Sequence, residues 1–239
     1  MIRVLRRPVA LIAALLLVVS CTKPSEESEG AYTVQVDPAR FVAQVDNEFF
    51  PLVPGMTFIY EESDNGERVE VHVTDEIREV MGVACVVVQS REYEGDELVE
   101  ETLDWYAQDI DGNVWYFGED TKEYKEGMVV TTEGSWESGV DGALPGIIMK
   151  GRPVVGESYR QEYCKGHAED MGEVVRLGDT TTVAYGTFDG VLVTRDWSLL
   201  EPGDEEQKYY APGVGLLLEV EGGDRVELVD LIAGAVGGE

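Results

Sequence analysis

The sequence predicts an all-β protein: antiparallel strands in a curled sheet, either a half-open barrel or a sandwich, built from an internally duplicated β-unit. Three observations carry that prediction. Apolar and polar residues alternate with a period of two through most of the chain. No sustained period of 3.6 marks an amphipathic helix. Finally, two parts of the chain match each other in order: Trp105-Tyr106-Ala107 falls on Tyr209-Tyr210-Ala211 at an offset of 104, and "VVQSREY" (87–93) then falls on "VLVTRDW" (191–197) without a gap. Further upstream, "PGMTFIYE" (54–61) matches "VGESYRQE" (155–162) at an offset of 101.

The N-terminus comes first in the chain. Arg3, Arg6 and Arg7 precede an apolar run from Val9 to Val19, and Ser20-Cys21 closes it. This is the layout of a secretory signal peptide, with a run too short for a permanent membrane span. "VVSC" resembles the bacterial lipobox, in which the Cys is acylated and becomes the first residue of the mature chain. Residues 1–20 are therefore expected to be removed and Cys21 to be the lipidation site, with several acyl chains giving stable anchoring. Residues 21–38 then form a flexible tether whose Ser-, Glu- and Gly-rich first half has no apolar face to bury. Thr22, rather than Asp, follows the Cys, so either the cell membrane or an outer membrane stays open as destination.

The chain carries 48 acids against 18 Lys and Arg, a net charge of −30. Losing the leader removes three Arg and no acid, which takes −30 to −33. That balance speaks against nucleic acid and against docking on anionic head groups. Beyond Cys21 stand Cys85 and Cys164; an exported compartment permits them to pair, and the sequence leaves the pairing open. With two His in all, a zinc centre is not expected, and no cofactor is implied.

Residues 39–233 read as one β-domain, with copies at 54–118 and 155–222, a connection at 119–154 and a short tail at 234–239. In "ERVEVHVTDEI", Val69, Val71 and Val73 face one way and Glu70, His72 and Thr74 the other. "GVACVVVQS" is continuously apolar and predicts a strand covered on both faces. The Asp-Gly of "DIDG" suits a hairpin turn. "ARFVAQV" has room for one helical turn, and "HAEDMGEVV" for the start of another.

The second copy resembles secreted bacterial proteins that carry a G-x-x-[WFY] strand, a V-x-x-G-x-F strand pair and a closing W-Y-A-P-G-V-G-L. Here these read "GESY" (156–159), "VAYGTFDGVLV" (183–193) and "KYYAPGVGLLL" (208–218). The first copy departs from the pattern, having no Pro-Gly after "WYA". The resemblance implies a curled antiparallel sheet and no catalytic residues. In overall style it is similar to half-barrel lipid and lipoprotein carriers of bacterial envelopes.

Motifs for chemistry are scarce. "DIDGNVWYFGED" (109–120) places Gly112 fourth, where an EF-hand loop needs its Gly sixth, so it reads as a hairpin turn flanked by acids, with a looser calcium site as the alternative. "GHAEDMGE" (166–173) gathers His167, Glu169, Asp170 and Glu173, a pattern more typical of a solvated loop than of a metal site. There is no G-x-S-x-G elbow, H-E-x-x-H helix or phosphate-cradling Gly loop. No catalytic residue is assigned.

The Gly-rich stretch 131–156 stands out between the copies. It reads either as a connection whose apolar residues plug a gap between the halves, or as a flap over an apolar cleft. In the flap reading, Trp136, Ile147 and Met149 touch a ligand, with Trp105, Trp115 and Tyr116 lining the cleft; the competing expectation is that these aromatics are simply core. Together the observations imply an exported, lipid-anchored envelope protein that meets the membrane through its anchor. Its expected role is a non-catalytic binding module for a small apolar or amphiphilic molecule or an envelope protein. The alternatives are an interaction protein without a pocket and, with less support, a carboxylate-based hydrolase.

Overall fold

The computed structural model describes residues 32–62 and 66–234. The leader, Cys21 and much of the tether lie outside the described residues, as does nearly all of the tail. Within them the chain is all-β, as expected. A 3-10 turn, Pro38–Arg40, is capped by the Asp37 carboxylate, which accepts from Ala39 N at 3.1 Å. It stands where the "ARFVAQV" helix was expected, and the chain then turns extended. The strands are β1 (Phe41–Val42), β2 (Val45–Asn47), β3 (Phe50–Leu52), β4 (Thr57–Glu62), β5 (Glu67–Val80) and β6 (Val83–Glu94). Next come β7 (Glu97–Asp109), β8 (Val114–Lys125), β9 (Met128–Thr131), β10 (Trp136–Glu137), β11 (Leu144–Met149) and β12 (Ser158–Arg160). The last six are β13 (Glu162–Tyr163), β14 (Asp170–Val183), β15 (Gly186–Ser198), β16 (Glu205–Ala211), β17 (Gly215–Glu221) and β18 (Asp224–Ile232). The second helical start, "HAEDMGEVV" (167–175), is instead the approach to β14 and its first residues.

One antiparallel path runs β12-β14-β15-β16-β17-β18-β4-β5-β6-β7-β8-β11-β13. Its two ends are consecutive pieces of chain. At Gln161 the chain stops pairing with β14 and starts pairing with β11, so the stretch 158–163 draws the sheet round into a nearly closed barrel. The closure is tight: a Cβ on Gly146 of β11 would lie 2.4 Å from the backbone of Gln161, so only glycine fits.

The wall has two apolar faces. Inside lies the large core, including Phe58, Tyr60, Val69, Val71, Val73, Tyr106, Tyr116, Leu192 and Tyr210. Outside β5–β8 lies a smaller cluster of Val80, Val83, Cys85, Val87, Trp105, Ala107 and Phe117, covered by Val36 and Phe41 from the N-terminal segment. Strand β6 serves both, with Val86 and Val88 inward and Cys85 and Val87 outward, which explains its unbroken apolar run.

The β2–β3 hairpin plugs one end of the barrel. Asp46 and Gln108 exchange two hydrogen bonds, of 2.9 and 2.7 Å. The Asn47 amide donates to Gly112 O at 2.8 Å and to Lys150 O at 3.1 Å, and Gly213 N donates to Glu48 O at 2.7 Å. Phe49 joins the inner core, and Phe50 meets Tyr106 edge-on at 5.2 Å.

The same opening turn occurs twice. Gly55 and Gly156 have φ of 85° and 86°. Gly55 N donates to Val73 O (2.7 Å) and Val73 N to Met56 O (2.9 Å); Gly156 N donates to Val174 O (2.8 Å) and Val174 N to Glu157 O (3.1 Å). Each turn is fastened to a strand of 14 residues, β5 through Val73 or β14 through Val174.

Candidate binding interior of the barrel

Directly opposed residues of antiparallel strands share a face, so the register maps the inner wall. In the first half one row runs Val73, Val88, Asp104, Glu119, and another runs Val69, Glu92, Glu100, Glu123. In the second half the rows run Val174, Thr194, Lys208, Glu219, Val226, Glu62 and Tyr159, Gly172, Asp196, Glu206, Glu221, Asp224. Apolar and aromatic residues dominate toward the plugged end, and carboxylates toward the other. Lys208 is the one cation in these rows.

Lys208 is 3 % exposed. Its Nζ lies 2.6 Å from Glu206, 3.6 Å from Asp196 and 3.9 Å from Glu219. Burial alone lowers an ammonium's pKa, but these three acids outweigh it and hold Lys208 well above its ordinary value, hence charged. The Gln161 amide donates to Asp196 at 3.1 Å. Gly172 makes room for this arrangement: a Cβ there would meet the Gln161 amide nitrogen at 2.7 Å and the Tyr159 ring at 3.1 Å. The Tyr159 hydroxyl and Gln161 Oε1 are buried without a hydrogen-bond partner.

Burial raises the carboxyl pKa of Glu219, reinforced by Glu206 and opposed by Lys208. It also raises Asp196, against the pull of Lys208. Glu162 is raised by burial and by the neighbouring Asp170 and Glu119. In the first half, Tyr116 donates to Asp104 at 2.6 Å and stacks on Tyr106 at 5.0 Å.

The six residues expected at a ligand do not surround one cleft. Trp136, Met149 and Tyr116 belong to the inner core, with Tyr116 and Trp136 edge-to-face at 5.4 Å. Trp105 and Trp115 lie in the outer cluster: the Arg78 guanidinium sits 4.0 Å over the Trp105 ring, and Trp115 packs on Phe41 at 6.2 Å. Ile147 opposes Trp115 across the β8–β11 pair. The stretch 131–156 is no structureless loop, since β11 pairs with β8 on one side and β13 on the other.

The acidic motifs resolve into turn and wall chemistry. Asp109 accepts from Asp111 N, Asn113 N, Asn113 Nδ2 and the Trp115 indole, so it organises the β7–β8 turn. Glu173 pairs with Arg195 at 2.6 Å, and Glu169 accepts from Gly166 N at 2.8 Å. Among the described residues no group of three or more His, Cys, Asp or Glu is placed to hold a metal ion. Cys85 and Cys164 are both free thiols; burial pushes Cys85 up to about 12. A shallow hollow of about 480 Å³ lies at the plugged end, lined by Val42, Gln44, Asp46, Gln108, Ile110 and Gly112, away from residues 136–149.

Sequence reasoning missed Lys208, Asp196, Glu219, Tyr159, Gln161 and Glu162. A signal was present: Lys208 is in phase with the inward Tyr210, and Glu219 interrupts the apolar run of β17.

No family model and no curated relative matches the chain. A crystal structure described as "a putative lipoprotein from Parabacteroides distasonis ATCC 8503" is similar at 13% identity and a TM-score of 0.42, covering 78% of this chain and 100% of that one. A likeness of that degree carries no argument here.

Proposed function

We propose that the protein is an exported, lipid-anchored envelope lipoprotein whose barrel, a duplicated β-unit, is a non-catalytic binding module for an amphiphilic ligand. The N-terminal basic region, apolar run and "VVSC" support the anchor at Cys21. The repeated opening turn supports the duplication. One observation carries the binding reading: the inner wall is apolar toward the plug, yet at the other end it buries a Tyr159 hydroxyl and a Gln161 carbonyl without partners. Leaving such groups unsatisfied costs about 1–3 kcal/mol each, so a ligand that reaches them gains what the apoprotein lacks. Barrels of about 8 strands are filled by their own side chains, and diameter grows with strand number. A path of 13 strands therefore encloses more than a small barrel does.

Two experiments test this. Cys21→Ala is expected to move the protein from the membrane to the soluble fraction; retention on the membrane contradicts the anchor. Stripping the purified protein over a hydrophobic resin is expected to lower its Tm, with recovery on adding back the extract. An unchanged Tm contradicts the binding reading. A carboxylate-based hydrolase is the second reading, favoured by the raised Glu162 and Glu219 carboxyls.

A further inference from the structure

Resting on the binding reading above, we infer that the ligand's polar end is an alkylammonium group, received on the inner wall by Tyr159, Gln161, Asp196 and Glu219. Hydrogen-bond sense identifies the kind of partner these groups lack. The unpartnered Gln161 atom is a carbonyl oxygen, which can only accept, and the Tyr159 hydroxyl oxygen can accept as well. Gln161 is 0 % exposed and Tyr159 6 %, so neither reaches bulk water. The missing partner is therefore a donor. Its charge follows from the neighbours: Tyr159 shares its row with Asp196 and Glu206, and the adjoining row holds Glu219 beside Lys208, so three carboxyls stand against one cation. An anion would face these carboxylates, while an ammonium brings three N–H donors and no acceptor.

Lys208 shows that this wall satisfies such a group. It is itself an alkylammonium, held by Glu206, Asp196 and Glu219, so three carboxyls stand around one cation. A divalent metal fits less well: among the described residues no group of three His, Cys, Asp or Glu is placed to hold one, and the three carboxyls here already share the Lys208 ammonium. Binding an ammonium favours the ionised form of Glu219 and Asp196, whose carboxyls burial holds above their ordinary pKa. Binding should accordingly release protons, and affinity should rise with pH.

Two sources offer this chemistry: a free polyamine and an amine-headed amphiphile. Calorimetric titration of the exported protein separates them, in phosphatidylcholine nanodiscs if it is membrane-bound and in buffer if not. Spermidine stands for the first source and dodecylammonium for the second, with dodecyl sulfate and dodecanol as comparators. The inference expects at least one ammonium probe to bind, dodecyl sulfate not to, and Glu219→Gln to weaken binding tenfold or more. Tyr159→Phe, which removes only the hydroxyl, should weaken it less. Thermal melts confirm that each variant is folded; should either fail to fold, the preference of the unaltered protein for ammonium over sulfate and alcohol still decides. Spermidine alone binding assigns a polyamine, and dodecylammonium alone an amphiphile. Equal binding of dodecanol and dodecylammonium overturns the charge inference while leaving the binding module standing. If no probe binds, the inference fails, and the stripping experiment decides the binding reading separately.

Discussion

The two halves of the barrel share a frame and differ in what they place on it. Both open with a positive-φ glycine and the same pair of backbone hydrogen bonds, and both set aromatic, aromatic and Ala in succession: Trp105-Tyr106-Ala107 and Tyr209-Tyr210-Ala211. Tyr106 and Tyr210 both face the inner core. Two residues before each stands an inward position, Asp104 in one half and Lys208 in the other. Asp104 receives a Tyr hydroxyl, whereas Lys208 gathers three carboxylates. The outward position differs too: Trp105 is 4% exposed under the N-terminal segment, while Tyr209 is only partly buried. The frame needs glycine and alternation, and it leaves inward polar positions free to diverge.

The largest expected effect breaks the charged half. Lys208→Met removes the only ammonium among Asp196, Glu206 and Glu219 and should cost about 3–5 kcal/mol, because buried carboxylates lose their partner. Asp104→Asn should cost about 1–2 kcal/mol, since the amide oxygen can still accept from Tyr116. Equal costs in urea unfolding would show that the two inward positions play the same part. The outer faces come next: Trp105→Ala should cost about 3 kcal/mol or more, and Tyr209→Ala, less covered, about 1 kcal/mol.

The smallest effect concerns pH. Glu162 and Glu219 have raised folded-state pKa values, so the folded protein holds protons that the unfolded chain has released. Their contribution is complete below the unfolded carboxylate value of about 4 and is lost as pH rises through the folded values. Tm should fall as pH rises above the ordinary carboxylate range of about 4, and a Glu162→Gln, Glu219→Gln double variant should flatten that slope. A wild-type Tm that rises there would contradict the assignment.

Much of the wall was legible in the sequence. Val69, Val71 and Val73 declare their inward face by alternation, and Cys85 to Val88 declare two covered faces by continuity. Strand β11 was hidden because Pro145 and Gly146 read as loop; Gly146 is there for the close approach to Gln161, which lies far along the chain. Closure through residues 158–163 depends on two long-range pairings that no local pattern announces. The interior charges were hidden for another reason. In a chain with 48 acids, an inward Glu219 looks like one more surface residue until register assigns its face.

The central claim is that the barrel interior holds an amphiphilic molecule, with its polar end at the charged half. Native mass spectrometry of the protein purified from its own host under gentle conditions tests this directly. The account predicts a second mass beyond that of the chain and any covalent modification, carried by the unaltered protein and diminished in Glu219→Gln. A bare mass across gentle conditions, unchanged by that substitution, would contradict it.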